Sequence, residues 1–312
     1  MADQPRTPTP LDELSEQWLD TLLELTPELH VHLGRPGREA DYADRSPDGH
    51  AAAADAARAM LSRVRGADAV DPVDEITKAE LIRTLGLDVE MHDAGFWQRD
   101  LNVIASPGQD LRDIFDLMST ETDDDWSNIA ERMSNIPAAM SGYLDSLRAG
   151  IAAGNMPAIR QVREVAAQAR KQLGPDSFFL ALASRSKAPA SLARDLESGA
   201  TTAIEAYAGL VDFLDNDLAP HEPEADAVGR EHYALASRYF VGAEIDLDET
   251  YAWGIEELNR MVTEQEQVAD QITAGATVAE AIEFLEGDPV RKLHGAHALQ
   301  AWMQQTSDRA VA

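Results

Sequence analysis

A helix-capping residue followed directly by proline recurs along the first third of the chain. Proline is favoured at the first helical position, because its missing N–H would find no intrahelical acceptor there. A preceding Ser, Thr or Asp side chain can accept hydrogen bonds from the free N–H groups of the first turn. The pairs are Thr9-Pro10, Thr26-Pro27, Ser46-Pro47, Asp71-Pro72 and Ser106-Pro107. Such repeated starts predict an array of helices.

Hydrophobic periodicity extends this prediction to the whole chain. Apolar residues recur at i, i+3, i+4 and i+7, whereas the alternation typical of strands is scarce. We therefore predict an all-α fold, an irregular array of about ten or more helices, mostly antiparallel neighbours, with little or no sheet. Beyond the first helix and a short one after Thr26-Pro27, we expect helices at 47–66, 72–93, 107–119, 123–136, 137–153, 155–173, 191–218, 277–285 and 289–306, with a polar loop at 34–49 and an extended connection at 95–107.

The expected domain organisation is simple. Residues 1–10 are predicted to be a tail, and residues 11–312 one large helical domain, with a sub-boundary near 175–190 as the alternative. Between 225 and 272, two amphipathic helical patterns are joined by a short connection at 242–247. Asp246 and Glu249 have the spacing of a capping box before the second pattern.

Composition excludes several classes of partner and site. The net charge is −30, from 26 basic and 56 acidic residues, which argues against nucleic acid or an anionic membrane surface as partner. The chain has no cysteine, and therefore no disulfide or thiolate metal site. No apolar run resembles a secretory signal or a membrane span. We expect a soluble, cytoplasmic protein.

Recognisable catalytic and metal-binding motifs are missing. The eight histidines include no His-Glu-x-x-His pair, and there is no calcium loop, serine nucleophile elbow or glycine-rich phosphate loop. We interpret the histidines as surface or packing residues. The acidic stretch 121–125 is interpreted as the first turn of a helix, where negative charge complements the dipole. No metal or cofactor is expected to bind this chain by itself.

Arginines next to apolar positions are more informative than the carboxylates, which abound in so acidic a chain. A guanidinium that leaves water is expected to find a carboxylate. One interpretation is that these arginines link helices through ion pairs, and the other is that they bind a substrate carboxylate. The residues concerned are Arg112, Arg132, Arg230 and Arg238, with Asp113 and Asp116 as the expected partners of Arg112 or Arg132.

Several stretches together resemble a bacterial family known as domain of unknown function 885. They are LDTLLELTPELHVHLGRPG with the following DRSPDG, the central LNVIASPGQDLRDIFDLMSTETDDDWSNIAERMSNIPAAMSGY, and LAPHEPEADAVGREHYALASRYFVG followed by DETYAWGIEEL. The central stretch keeps the order Arg112, Asp113, Phe115, Asp116, Trp126, Arg132, Pro137 and Tyr143. Gly229, Glu231 and Tyr233 match a Gly-x-Glu-x-Tyr block. The similarity runs from about residue 11 to the end.

The resemblance implies an all-helical protein related in outline to gluzincin-type zinc peptidases. In the family the metal-binding His-Glu and Pro-Gly-His elements lie in a later half, and nothing here matches them. The chain is thus expected to be the N-terminal half of a metal-dependent hydrolase, inactive alone, with zinc only in the absent C-terminal half. It would form one wall of a cleft for a peptide or small-molecule substrate. The candidate substrate-binding residues are Arg112, Asp116, Arg230, Glu231, Tyr233, Arg238 and Glu256.

Two alternatives come from other functional classes. The chain could be a stand-alone, non-catalytic helical scaffold or binding protein. It could also hold a small molecule in a pocket lined by Tyr207, Tyr233, Tyr239 and Trp253.

Overall fold

The computed structural model describes residues 6–185, 188–221 and 223–312, so residues 1–5 of the predicted tail lie outside it. Within these ranges the protein is all-α and contains no β-strand, which confirms the predicted fold class. None of the described helices combines the length and apolarity needed to cross a membrane. The chain forms two compact units, Met1–Ala243 and Glu244–Ala312. The alternative sub-boundary near 175–190 falls inside the first unit.

The first unit contains ten α-helices and several short 3₁₀ or π turns within its described residues. The helices are α1 (Pro10–Leu25), α2 (Glu28–Leu33), α3 (Pro47–Gly66), α4 (Pro72–Asp93), α5 (Pro107–Asp113), α6 (Asp123–Ala153), α7 (Ile159–Arg170), α8 (Phe178–Ala183), α9 (Ala193–Phe213) and α10 (Arg230–Val241).

Side-chain caps are present at the N-termini of three helices whose starts were predicted from a capping residue and proline. The Thr9 side chain accepts from Asp12 N in a reciprocal capping box, and the Ser46 and Asp71 side chains accept from the backbone N–H three residues on. α5 begins at Pro107 as expected, whereas α2 begins at Glu28, one residue after Pro27, and neither helix has a side-chain cap. Local chemistry of the first turn is therefore enough to place these helix starts.

The core of the first unit is centred on α6 and α9. Trp126, Met133 and Leu147 of α6 are buried among apolar residues of α7, α8 and α9. Tyr207 of α9 is also buried, and its hydroxyl donates to Gly108 O at 2.8 Å, which fastens α5 to this core. A second cluster joins α1, α3 and α4 through residues such as Leu11, Val64 and Leu85.

α6 runs without interruption through Pro137, so the predicted division into helices 123–136 and 137–153 is wrong. Proline inside a helix removes one hydrogen bond and costs about 3 kcal/mol. Residues on both sides of Pro137 are buried, including Ile136 and Met140. Burying such side chains contributes about 1.5–3 kcal/mol each, and this outweighs the local cost of the proline.

Other boundaries differ from the sequence predictions by a few residues. α5 ends at Asp113 and continues only as a 3₁₀ turn to Asp116, whereas a helix to 119 was expected. The connection 95–107 is not wholly extended, because Phe96–Arg99 forms a 3₁₀ turn. α7 begins at Ile159 rather than at 155. These differences occur at helix ends, where fraying and tertiary contacts decide the outcome.

Arg132 corrects the expectation that a buried guanidinium finds a carboxylate. The residue is fully buried in α6, its Nε donates to Glu39 O at 2.5 Å, and its guanidinium lies 4.8 Å over the Tyr42 ring. Burial lowers the pKa of Arg132, while Glu28 and Asp41 act on it only through space. The backbone of the 34–46 loop thus takes the place of an acidic partner.

The second unit consists of α11 (Leu247–Ile272), α12 (Val278–Gly287), a 3₁₀ turn at Pro289–Arg291 and α13 (Ala296–Val311). Asp246 caps α11 by accepting from Asp248 N and Glu249 N. α12 begins at Val278, one residue after the predicted start at Thr277. α13 begins at Ala296, seven residues after the predicted start at Pro289. Large apolar side chains of α11 remain exposed, among them Tyr251, Ile255 and Leu258.

Candidate functional site

A cavity of about 650 Å³ lies within the first unit. Its walls come from α1, α3, α4, the Phe96–Asn102 segment, the start of α7 and the start of α10. The apolar part includes Trp18, Leu22 and Leu25 from α1 and a row of alanines from α3. This size and this mixture of apolar surface with a few polar groups are typical of sites for small molecules.

Three histidines stack flat against aromatic rings in the cavity lining. The Trp97 ring lies 5.4 Å from His50 and 6.1 Å from His92, measured between ring centroids. The Phe96 ring lies 3.8 Å from His232 of α10, nearly parallel to it. The expectation that histidines pack structurally therefore holds for these three, but their packing also builds a cavity.

The segment that carries Phe96 and Trp97 is held by its backbone. Gly95 turns the chain in a left-handed conformation (φ 73°), and Asn155 Nδ2 donates to Gly95 O at 2.8 Å. The Tyr143 hydroxyl of α6 donates to Asp100 O at 2.8 Å. Gly150 of α6 lets the segment approach, since a Cβ there would lie 2.3 Å from Gln98 O.

Desolvation shifts the titration of several lining groups. Burial lowers the pKa of His50 to about 4 and also lowers the pKa of His232. It raises the pKa of Asp88, and it raises the pKa of Asp100 to about 6. Both aspartates are exposed to solvent at the lining of the cavity. The protein atoms around them displace part of their hydration, which disfavours the charged form.

Among the candidate residues, Arg112 and Asp116 form an ion pair with each other at the end of α5. Arg112 also contacts Asp113 at 3.0 Å, and its guanidinium lies 4.0 Å over the Phe178 ring. These ion pairs are local, within one helical turn, so they do not link two helices as the ion-pair interpretation expected. Arg112 lines a small recess of about 110 Å³ beside Tyr207, separate from the large cavity.

The candidates of α10 lie close to the large cavity without lining it. Arg230, Glu231 and Tyr233 are exposed and flank His232, which does line it. Arg238 pairs with Glu90 of α4 at 2.7 Å, and this ion pair links α10 to α4. Glu256 is exposed on α11 of the second unit. The roles of these residues in substrate binding stay predictions.

The proposed tyrosine and tryptophan pocket is not formed by the first unit. Tyr207 is buried in the core with its hydroxyl satisfied, whereas Tyr233 and Tyr239 are about half exposed on α10. Helical spacing places each of these residues on an apolar helix face. It does not tell which of those faces is buried in the core and which is exposed to solvent.

A family model described as a bacterial protein of unknown function, DUF885, matches residues 27–312. The chain belongs to the DUF885 family. Among curated proteins, none matches this DUF885 chain.

Two solved structures share the fold. One, from Colwellia psychrerythraea, is described as a "putative lipoprotein"; the TM-score is 0.71 at 14% identity. The other, from Shewanella oneidensis, is described as a "putative lipoprotein of unknown function"; the TM-score is 0.62 at 14% identity. The DUF885 chain aligns over 96% and 89% of its own length, but covers only 58% and 52% of theirs. At this identity the likeness concerns the fold alone.

The resemblance implies a zinc ion, held by a later half of the complete protein. Nowhere in 6–185, 188–221 and 223–312 do three His, Asp or Glu side chains converge as metal ligands would. Structural and catalytic zinc sites need at least three such protein ligands. These residues do not fit a resident zinc ion, and no chemical step is assigned to one here.

Sequence reasoning did not identify five polar or aromatic residues of the cavity lining as a site, namely His50, Asp88, His92, Trp97 and Asp100. They are separated by up to fifty positions, and only the fold brings them together. One local pattern pointed to part of this lining, because Asp88, Met91 and His92 have the i, i+3, i+4 spacing that places side chains on one helix face.

Proposed function

We propose that this chain is the substrate-binding helical region of a hydrolase-like protein of the peptidase or amidase type, and that it forms one wall of the substrate cleft. The observation that carries the proposal is the cavity of about 650 Å³, whose aromatic and apolar walls suit the side chain of a peptide or amide. The chain spans little more than half the length of the structures that share its fold. Catalytic groups and zinc would then belong to further chain in the complete protein.

The candidate residues of α10 take a definite role in this proposal. Arg230, Glu231 and Tyr233 present their side chains to solvent beside the cavity residue His232. From there they could contact the part of a substrate that extends out of the cavity. Arg112, which lines a separate recess, and its ion-pair partner Asp116 would brace the wall.

The test compares this chain with the product of the complete reading frame. We expect the chain alone to bind no stoichiometric zinc and to hydrolyse none of a panel of peptides and amides, and the longer product to do both. Arg230→Ala in the longer product should lower turnover more than it lowers the melting temperature. Arg260→Ala is the control, because Arg260 is exposed and, among the described residues, pairs with Glu257 and Glu264 of its own helix.

Two results would contradict the proposal. One is tight binding of one zinc per chain by this chain alone, measured by metal analysis. The other is a reading frame that ends at Ala312, which would favour the second candidate, a stand-alone binding protein. The observation that favours this second candidate is that the cavity is built entirely from residues of the first unit.

A further inference from the structure

Two of the three acidic side chains that line the cavity lack an ion-pair partner among the described residues. Three aspartates line it, Asp88, Asp100 and Asp226. Asp226 is paired with Arg160, but neither Asp88 nor Asp100 forms an ion pair with any described residue. Both residues are exposed to solvent at the cavity lining, and a carboxylate without an ion-pair partner attracts a cation. The charge of Arg45, which is itself paired with Glu28 at 3.1 Å, acts on Asp100 through space, as does that of Asp110.

The basic side chains of the cavity oppose a cation only weakly. Burial lowers the pKa of His50 to about 4 and also lowers the pKa of His232, which favours the neutral form of both rings. Arg99 is the permanently charged base of the lining, and it already has an interaction of its own. The whole chain carries a net charge of −30, which attracts cations from a distance.

The remaining walls are apolar, and they favour a ligand whose cationic group is attached to a hydrocarbon part. Trp18, Leu22 and Leu25 form one side, and Ala53, Ala54 and Ala57 of α3 form another. Hydration free energy is lost when an inorganic ion enters such a lining, and no cluster of three acidic or imidazole ligands is available to the ion among the described residues. An organic amine meets both requirements, since its ammonium group reaches the carboxylates while its hydrocarbon part contacts the apolar walls.

We propose that the cavity binds a primary ammonium group carried on an aromatic or aliphatic body, with Asp100 as the main ionic partner and Asp88 as the second. This assignment rests on the proposed function only in one respect: if the chain is a substrate-binding region, the ammonium group is the free amino terminus of a peptide. Binding by itself requires no catalytic half.

The experiment measures binding of small probes to the intact chain by calorimetry at pH 7. The first pair is 2-phenylethylamine and 2-phenylethanol, which share a shape and differ in charge. Hydrogen bonds to charged groups contribute more than neutral ones, so we expect the amine to bind about 10-fold or more tightly than the alcohol. 3-Phenylpropionate should bind more weakly than either. Phenylalaninamide separates the two sources, since it binds if the site takes a peptide amino terminus and fails if the site takes only small amines.

Variants test the assignment to the two carboxylates. Asp100→Asn should lower the affinity for the amine about 10-fold and leave that for the alcohol unchanged, and Asp88→Asn with Asp100→Asn should abolish the preference for the amine. Asp68→Asn is the control, because Asp68 is exposed and does not line the cavity. Melting temperatures confirm that each variant is folded. Equal affinity for amine and alcohol, or an amine preference that survives the double substitution, would overturn the proposal. If the chain binds amines but the complete protein hydrolyses no peptide or amide, the proposed function is contradicted and the assignment of the amine site is not.

Discussion

The close approach of α6 to the cavity segment gives a sharp test of how the site is built. Gly150 is buried in α6, and a Cβ at this position would lie 2.3 Å from Gln98 O and 2.8 Å from Asn155 O. Ordinary contacts between carbon and carbonyl oxygen are about 3.3 Å or longer. The Gly150→Ala variant must therefore move one of these backbone carbonyls by about 1 Å, and a carbonyl cannot rotate away as a side chain does.

The expected free-energy change combines two effects of opposite sign. Overpacking a core costs about 1–3 kcal/mol, and the upper end applies because both obstacles are backbone atoms. Alanine gains about 0.5–1 kcal/mol over glycine in a helix interior. We expect a net loss of about 2 kcal/mol in the free energy of unfolding, and a displaced Phe96–Arg99 turn.

The measurement is urea unfolding followed by circular dichroism, with amide hydrogen exchange of residues 95–102 as a local readout. Gly86→Ala is the matched control, since Gly86 lies inside α4 and a Cβ there would meet nothing within 4 Å. This control should gain about 0.5–1 kcal/mol. If both substitutions shift stability by the same amount and in the same direction, the claim that α6 packs directly on the cavity segment is refuted.

Two further predictions concern single side chains. Tyr207→Phe should cost about 1–3 kcal/mol in urea unfolding, because Gly108 O then loses its buried donor; Tyr239→Phe, at an exposed position, should change stability by less than about 0.5 kcal/mol. His50 should titrate near pH 4 by NMR rather than near its ordinary value. Because the unfolded chain binds this proton more tightly, stability should fall as the pH decreases from about 6.5 to about 4, by up to about 3 kcal/mol from this group. The raised pKa of Asp100 has the opposite effect, because it destabilises the folded state as the pH rises over about pH 4–6. The His50→Gln variant therefore isolates the contribution of the histidine to the pH dependence of stability. If this variant leaves the pH profile unchanged, the assignment to His50 is contradicted.

Helix starts could be predicted because their causes are local. Thr9, Ser46 and Asp71 cap the helices that follow them, and the residues responsible lie within one turn of each other. The predicted spans 47–66 and 72–93 coincide with α3 and α4. Pairing of Arg112 with Asp116 is equally local, since the two residues are one helical turn apart.

The candidate site was much less accessible from the sequence. His50, His92 and His232 were interpreted only as packing residues, since nothing in their spacing shows that they meet rings of Phe96 and Trp97. The carboxylates of the cavity are hidden among 56 acidic residues. What distinguishes Asp88 and Asp100 is the recess around them, which raises their pKa values and which exists only in the fold.

By itself, the sequence determined that this protein is helical and where most helices begin, because capping, proline geometry and helical periodicity act over a few residues. The tertiary structure decided that α6 continues through Pro137, that Arg132 binds a backbone carbonyl, and that distant segments enclose a cavity. Those outcomes depend on burial and desolvation, which sum contributions from residues far apart in the chain.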